Sequence, residues 1–63
     1  MTRNEVEELR NKYVGKQVEV HIDDPYHPIN TVGTILEVDD MGQLHGTWGG
    51  LAAMPDEVTL SNN

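Results

Sequence analysis

The sequence predicts a small, mainly β domain with one N-terminal helix, and three observations carry that prediction. A capped amphipathic stretch opens the chain, a strictly alternating hexapeptide follows, and short apolar runs then recur between turn signals. Each element can be justified in order.

Thr2-Arg3-Asn4-Glu5 has the form of a capping box, in which the threonine hydroxyl and the glutamate carboxylate each satisfy a free backbone N–H at a helix start. Val6, Leu9 and Tyr13 then recur at helical spacing on one face. The acids come early and Arg10, Lys12 and Lys16 late, as the helix dipole favours, and Gly15 is a natural stop. A helix over residues 2–14 follows. A helix of this length is unstable alone in water, so its apolar stripe must dock on something.

Gln17–Ile22 alternates strictly, with Val18, Val20 and Ile22 on one face and Gln17, Glu19 and His21 on the other, which describes a half-buried strand. Residues 23–30 hold two prolines and no periodicity and read as a long ordered loop. Residues 31–39 form the second strand. Ile35 and Val38 are three apart rather than two, so placing both inward requires a bulge at Leu36-Glu37. Asp39-Asp40-Met41-Gly42 is a tight hairpin, with Gly42 available for positive φ. Residues 43–48 make the third strand, Leu44, Gly46 and Trp48 sharing a face. Gly49-Gly50 reads as a two-residue hairpin leading into a fourth strand at residues 51–54. Pro55-Asp56-Glu57 is a short turn, residues 58–60 a last strand, and residues 61–63 a frayed tail. Five short strands with a long first loop, two tight hairpins and a turn before the last strand describe an SH3-like β-barrel over residues 17–60.

Size and composition bound the rest. Sixty-three residues make one domain, and a chain this short buries only about 60% of its unfolded surface. With no cysteine, disulfides, thiolate metal ligands and redox chemistry are all absent. Support for so small a core then comes from packing or self-association, and a homodimer through the helix stripe is one expectation. Residues 1–10 are polar and charged, without the apolar run of a signal peptide, and no stretch approaches the ~20 apolar residues of a membrane span. A cytoplasmic protein with no membrane partner is expected.

The net charge of −7 is unevenly laid out. All four basic residues, Arg3, Arg10, Lys12 and Lys16, lie in residues 1–16, and the remaining 47 residues hold eight carboxylates and no Lys or Arg. Direct nucleic-acid binding relies on cations that neutralise phosphates, and the body of this chain has none to offer. Mutual repulsion of the eight, screened at physiological salt, sums to on the order of 1 kcal/mol.

Catalytic and metal chemistry find little purchase. His21, His27 and His45 match no ligand spacing and read as scattered surface histidines. Asp23-Asp24 and Asp39-Asp40 lack the Asp-x-Asp-x-Asp-Gly loop of a calcium site, and aspartates in turns mostly cap their own backbone. No catalytic residue, metal ligand or cofactor is assigned, and the chain is not read as an enzyme. Tyr13, Tyr26 and Trp48 are the only aromatics, fewer than a polyproline groove or methyl-lysine cage generally uses. Tyr26 between Pro25 and Pro28 can lock the long loop, and Trp48 can cover one end of a core without phenylalanine.

Several segments resemble one family. Tyr13-x-Gly15-x-x-Val18, Asp24-Pro25-Tyr26-x-Pro28, Val32-Gly33-Thr34-Ile35 and Val38-Asp39-Asp40-x-Gly42-Gln43-Leu44-His45, followed by Trp48, are similar to small proteins of bacteriophages and Gram-positive bacteria. These are often carried on mobile elements and are grouped as a domain of unknown function. The resemblance covers nearly the whole chain. Two departures stand out: Ile29-Asn30 where the family tends to have Pro-Gly, and a turn after Trp48 cut to Gly49-Gly50. The resemblance implies a phage or mobile-element origin, with host cytoplasm as the location, and transfers no catalytic residue.

Two functions are expected from this reading. The first is a non-catalytic accessory protein that binds another protein. The second is an acidic mimic of nucleic-acid phosphates that occupies the basic groove of a host nucleic-acid-binding protein, such as a defence nuclease, with steered association that salt abolishes. Candidate partner-binding residues are Asp23, Asp24, Tyr26, Glu37, Asp39, Asp40 and Trp48. Mimicry requires the carboxylates to form one continuous exposed stripe.

Overall fold

A computed structural model describes residues 1–61. Helix α1 spans Arg3–Tyr13, with Thr2 as its N-cap. The capping box closes as expected: Glu5 N donates to Thr2 Oγ1 at 3.2 Å and Thr2 N to Glu5 Oε1 at 3.1 Å. Val6 and Tyr13 are buried and Leu9 is partly so, which places the stripe on the core of its own chain. Gly15 N then donates to Ile35 O (2.8 Å) and Ile35 N to Lys16 O (3.0 Å), stitching the helix exit to the sheet.

Strand β1, Gln17–Ile22, buries Val18, Val20 and Ile22 and exposes the alternate residues. It pairs antiparallel with β2, Ile29–Val38, from Gln17 opposite Thr34 to Ile22 opposite Ile29. The second strand therefore begins two residues earlier than residues 31–39 suggest, because Ile29 and Asn30 still have Ile22 and His21 to pair with. The loop shortens to residues 23–28. The bulge lies where the apolar spacing demands it: the register shifts between Ile35 and Glu37, and Ile35 and Val38 are both fully buried.

Past β2, Gly42 N donates to Asp39 O (3.0 Å) and Gly42 takes φ +80°, a conformation a side chain rarely adopts. Strand β3 is only Leu44–Gly46, shorter than the expected 43–48. Thr47 leaves the regular ladder, its N–H donating to Thr34 O and its hydroxyl accepting from Thr34 N (3.1 and 3.0 Å). Trp48 folds back over Gly33 and Gly46.

The five-stranded expectation fails here. Gly49-Gly50 is not a two-residue hairpin, and residues 51–54 are not a strand. The chain crosses from Gly46 to Ala53 in a wide loop, with Gly49 and Gly50 both at positive φ, and returns to a single bridge between Ala53 and Leu44 (2.7 and 2.9 Å). The reason is the indole, which needs room above two glycines and tethers the loop by donating from Nε1 to Leu51 O at 2.8 Å. A 3-10 turn, Pro55–Glu57, leads into β4, Val58–Leu60, which pairs with β1. Ser61 N still donates to Gln17 O (3.0 Å), and the other two residues of the expected frayed tail lie outside the described residues.

The result is a four-stranded antiparallel sheet, ordered β3-β2-β1-β4, with one helix. It is an open sheet rather than the five-stranded closed barrel expected. Val18, Val20, Ile35, Val38 and Leu44 are its largest fully buried side chains, each stabilising the fold by roughly 1.5–3 kcal/mol relative to exposure. Among the described residues no helix is long and apolar enough to cross a membrane.

Candidate functional site

The seven candidate residues separate into two groups. The first gathers near the helix. Arg10 reaches across to β2, donating from Nε to Glu37 Oε1 at 3.0 Å and to Val38 O at 3.2 Å, while Nη1 meets Glu7 Oε1 at 3.4 Å. Glu37 also accepts from Val38 N (2.8 Å); that bond first, and the guanidinium second, hold its carboxyl below the usual range. Asp40 lines a hollow with Arg3, Glu7 and Arg10.

Asp39 beside it organises the hairpin. Its Oδ1 accepts from Met41 N and Gln43 N, and the His45 ring donates from Nε2 to Oδ2 at 2.8 Å. The histidine contact, then the Gln43 amide, lower its pKa. This is the self-capping role that aspartates in turns usually take.

The second group lies at the loop end. Asp24 Oδ1 accepts from Tyr26 N (2.7 Å) and His27 N (2.9 Å), which closes residues 23–28 into an ordered turn and keeps the carboxyl ionised below its ordinary range. Both of those bonds fall on Oδ1. Tyr26 is not packed on the sheet: it is 85% exposed, so it does not lock the loop. Trp48 is the half-buried lid of the core, and its bond to Leu51 O shapes the loop across from Tyr26.

Two hollows open there. One is lined by Tyr26, Pro28, Ile29, Gly50 and Leu51. Asp23, Asp24 and Pro25 face Gln43, Met54 and Glu57 across the other, and Leu51 belongs to both. Sequence reasoning missed Leu51, Met54 and Glu57. Their chief signal was two apolar residues, Leu51 and Met54, at the ends of the segment read as a strand; the structure leaves them 41% and 40% exposed.

The helix cations do not neutralise the body one by one. Among the described residues, Arg10–Glu37 is the ion pair joining the helix to a carboxylate beyond residue 16, and Lys12 Nζ sits 5.2 Å from the Tyr13 ring centre. His21 lies 3.5 Å from Glu19 on the outward face of β1, and His45 meets Asp39. Among the described residues no three His, Asp or Glu side chains are gathered so that they could hold a metal ion.

Comparison with known proteins adds one finding. Residues 2–58 match the model of a domain of unknown function (DUF4314). No curated protein and no solved structure matches the chain.

Proposed function

The chain thus belongs to the DUF4314 family, and from that footing we propose that it is a non-catalytic accessory protein that acts by binding another protein. The observation that carries this reading is the exposed apolar surface at the loop end, where Tyr26, Leu51 and Met54 stand open around two adjoining hollows. An unpartnered aromatic beside a polar rim is the usual composition of a recognition face.

The carboxyls with displaced pKa values among the described residues do not support general-acid catalysis. The four carboxyls with displaced pKa values, Glu5, Asp24, Glu37 and Asp39, are all lowered, by hydrogen bonds from backbone amides or from neighbouring side chains. A general acid needs the opposite displacement. The element order supports an SH3-like arrangement left open as a sheet, its expected strand at residues 51–54 reduced to the Ala53 bridge: β1–β2–β3, a return to β3, a 3-10 turn, then β4 back on β1. The family resemblance supports a phage or mobile-element origin and action in host cytoplasm.

Acidic mimicry draws less support. Glu37 is bound by Arg10, Asp40 shares its hollow with Arg3 and Arg10, and Asp23 and Asp24 line a different one, so cations interrupt the stripe that mimicry requires. Affinity capture from a Gram-positive host lysate, with and without competing DNA, tests the choice. A specifically retained protein that DNA does not displace is expected. Displacement by DNA would favour mimicry, and an empty eluate would remove the binding reading altogether.

A further inference from the structure

We propose that the two adjoining hollows form one docking groove for an extended segment of another protein carrying a lysine or arginine next to an apolar side chain. This rests on the binding reading above and assigns it a face and a partner chemistry. Leu51 lines both hollows, so they adjoin at its side chain. Ile29 and Pro28 contribute apolar surface at one end, and Met54 and Pro25 do so at the other.

The rim specifies the charge. Asp23, Asp24 and Glu57 border the second hollow, and among the described residues none has a Lys or Arg partner. No Lys or Arg lies nearby in sequence either, since all four fall within residues 1–16, and His27 is the neighbouring ionisable nitrogen base. Asp24 and Glu57 each use one oxygen on a backbone amide, Asp24 Oδ1 on Tyr26 and His27 and Glu57 Oε1 on Met54 at 2.8 Å, so the second oxygen of each is open to a partner's cation. The open face of Tyr26, two residues from Asp24, offers the same cation a ring to stack on. The aliphatic stem of a lysine or arginine, or its apolar neighbour, then covers Leu51 and Met54. A second copy of this chain is the poorer occupant: Arg10 is bound to Glu37 and Lys12 sits beside Tyr13, which leaves Arg3 and Lys16, and a net charge of −7 on each copy opposes association.

The test uses fluorescein-labelled decapeptides, Gly-Ser spacers around a central Arg-Leu-Arg-Leu, with Glu-Leu-Glu-Leu as counterpart, followed by fluorescence anisotropy against the full chain at low salt. The basic peptide is expected to bind and the acidic one not. D24N and E57Q remove charge but keep the oxygen that accepts each turn bond, and D23N removes charge at a side chain with no such bond among the described residues; each is expected to weaken binding about two- to fivefold. Y26A, at a residue 85% exposed, is expected to weaken it comparably, and E8Q on the helix to change it little. Circular dichroism melts establish that each variant is folded. Equal binding of the two peptides, or an equal loss in E8Q, overturns the groove. Self-association in sedimentation that D24N abolishes overturns the partner assignment in favour of a second copy. A lysate protein retained equally by wild type and by the D23N/D24N/E57Q/Y26A combination overturns the groove while leaving the binding reading intact, whereas a lysate yielding nothing to either overturns both.

Discussion

Replacing Gly46 by alanine probes the contact that reshaped the second half of the chain. Gly46 faces Ile35 across the β2–β3 pair, and Trp48 lies directly over it. An added Cβ would fall within the indole at Cζ3, 2.7 Å from Cε3 and 2.5 Å from Thr34 O. The carbonyl cannot yield cheaply, because it accepts from Thr47 N at 3.1 Å within the sheet. The ring must therefore swing outward, giving up its packing and its 2.8 Å bond to Leu51 O. Overpacking costs about 1–3 kcal/mol and the lost hydrogen bond about 0.5–1.5 kcal/mol. Together they reach about 1.5–4.5 kcal/mol, against a total stability on the order of 3–9 kcal/mol for a chain this size. The melting temperature should fall by at least about 6 °C. Urea unfolding followed by circular dichroism measures the loss, and the single tryptophan reports its own displacement as a red-shifted emission. Gly49→Ala is the comparison. Its Cβ meets nothing within 4 Å, but its φ of +73° costs roughly 1–2 kcal/mol. A Gly46→Ala variant no less stable than Gly49→Ala, with unshifted emission, would refute the packing account.

Three other outcomes are expected. Arg10→Gln removes the bridge from α1 to Glu37 and Val38 O and should lower the melting temperature by a few degrees, with little added loss when Glu37→Gln is combined with it. The folded pKa values of Asp24, Glu37 and Asp39 are depressed, so their stabilisation is complete above the ordinary values of 3.8 and 4.5 and is lost as pH falls through the lower folded values; acid titration followed by circular dichroism should show stability declining below about pH 5, less steeply in D24N. Because eight carboxylates share a body without Lys or Arg, raising sodium chloride from low to about 0.5 M should raise the melting temperature slightly, and a marked fall would show that ion pairs outweigh repulsion.

The candidate site was less legible than the elements that carry it. Asp24 and Tyr26 were visible because they sit in one short loop whose prolines and aspartates announce an ordered turn. Glu37 looked like a free surface charge until the fold brought Arg10, 27 residues earlier, within 3.0 Å. Trp48 was visible as a candidate for recognition or packing, but nothing local indicated that Gly33 and Gly46 would both lie beneath its ring. Glu57 and Met54 belong to the groove only because the 3-10 turn packs opposite loop 23–28.

Contiguous residues by themselves determined the capping box and stripe of α1, the inward face of β1, the bulge between Ile35 and Glu37, and the Gly42 turn. Each of these is decided by backbone chemistry or by side-chain period within a few positions, so neighbours in sequence suffice. Only the tertiary structure decided where the chain returns after Trp48, which carboxylate Arg10 takes, and that four strands rather than five form. Those outcomes depend on contacts between distant segments, above all one indole seated over two glycines on different strands, and no local pattern encodes that meeting.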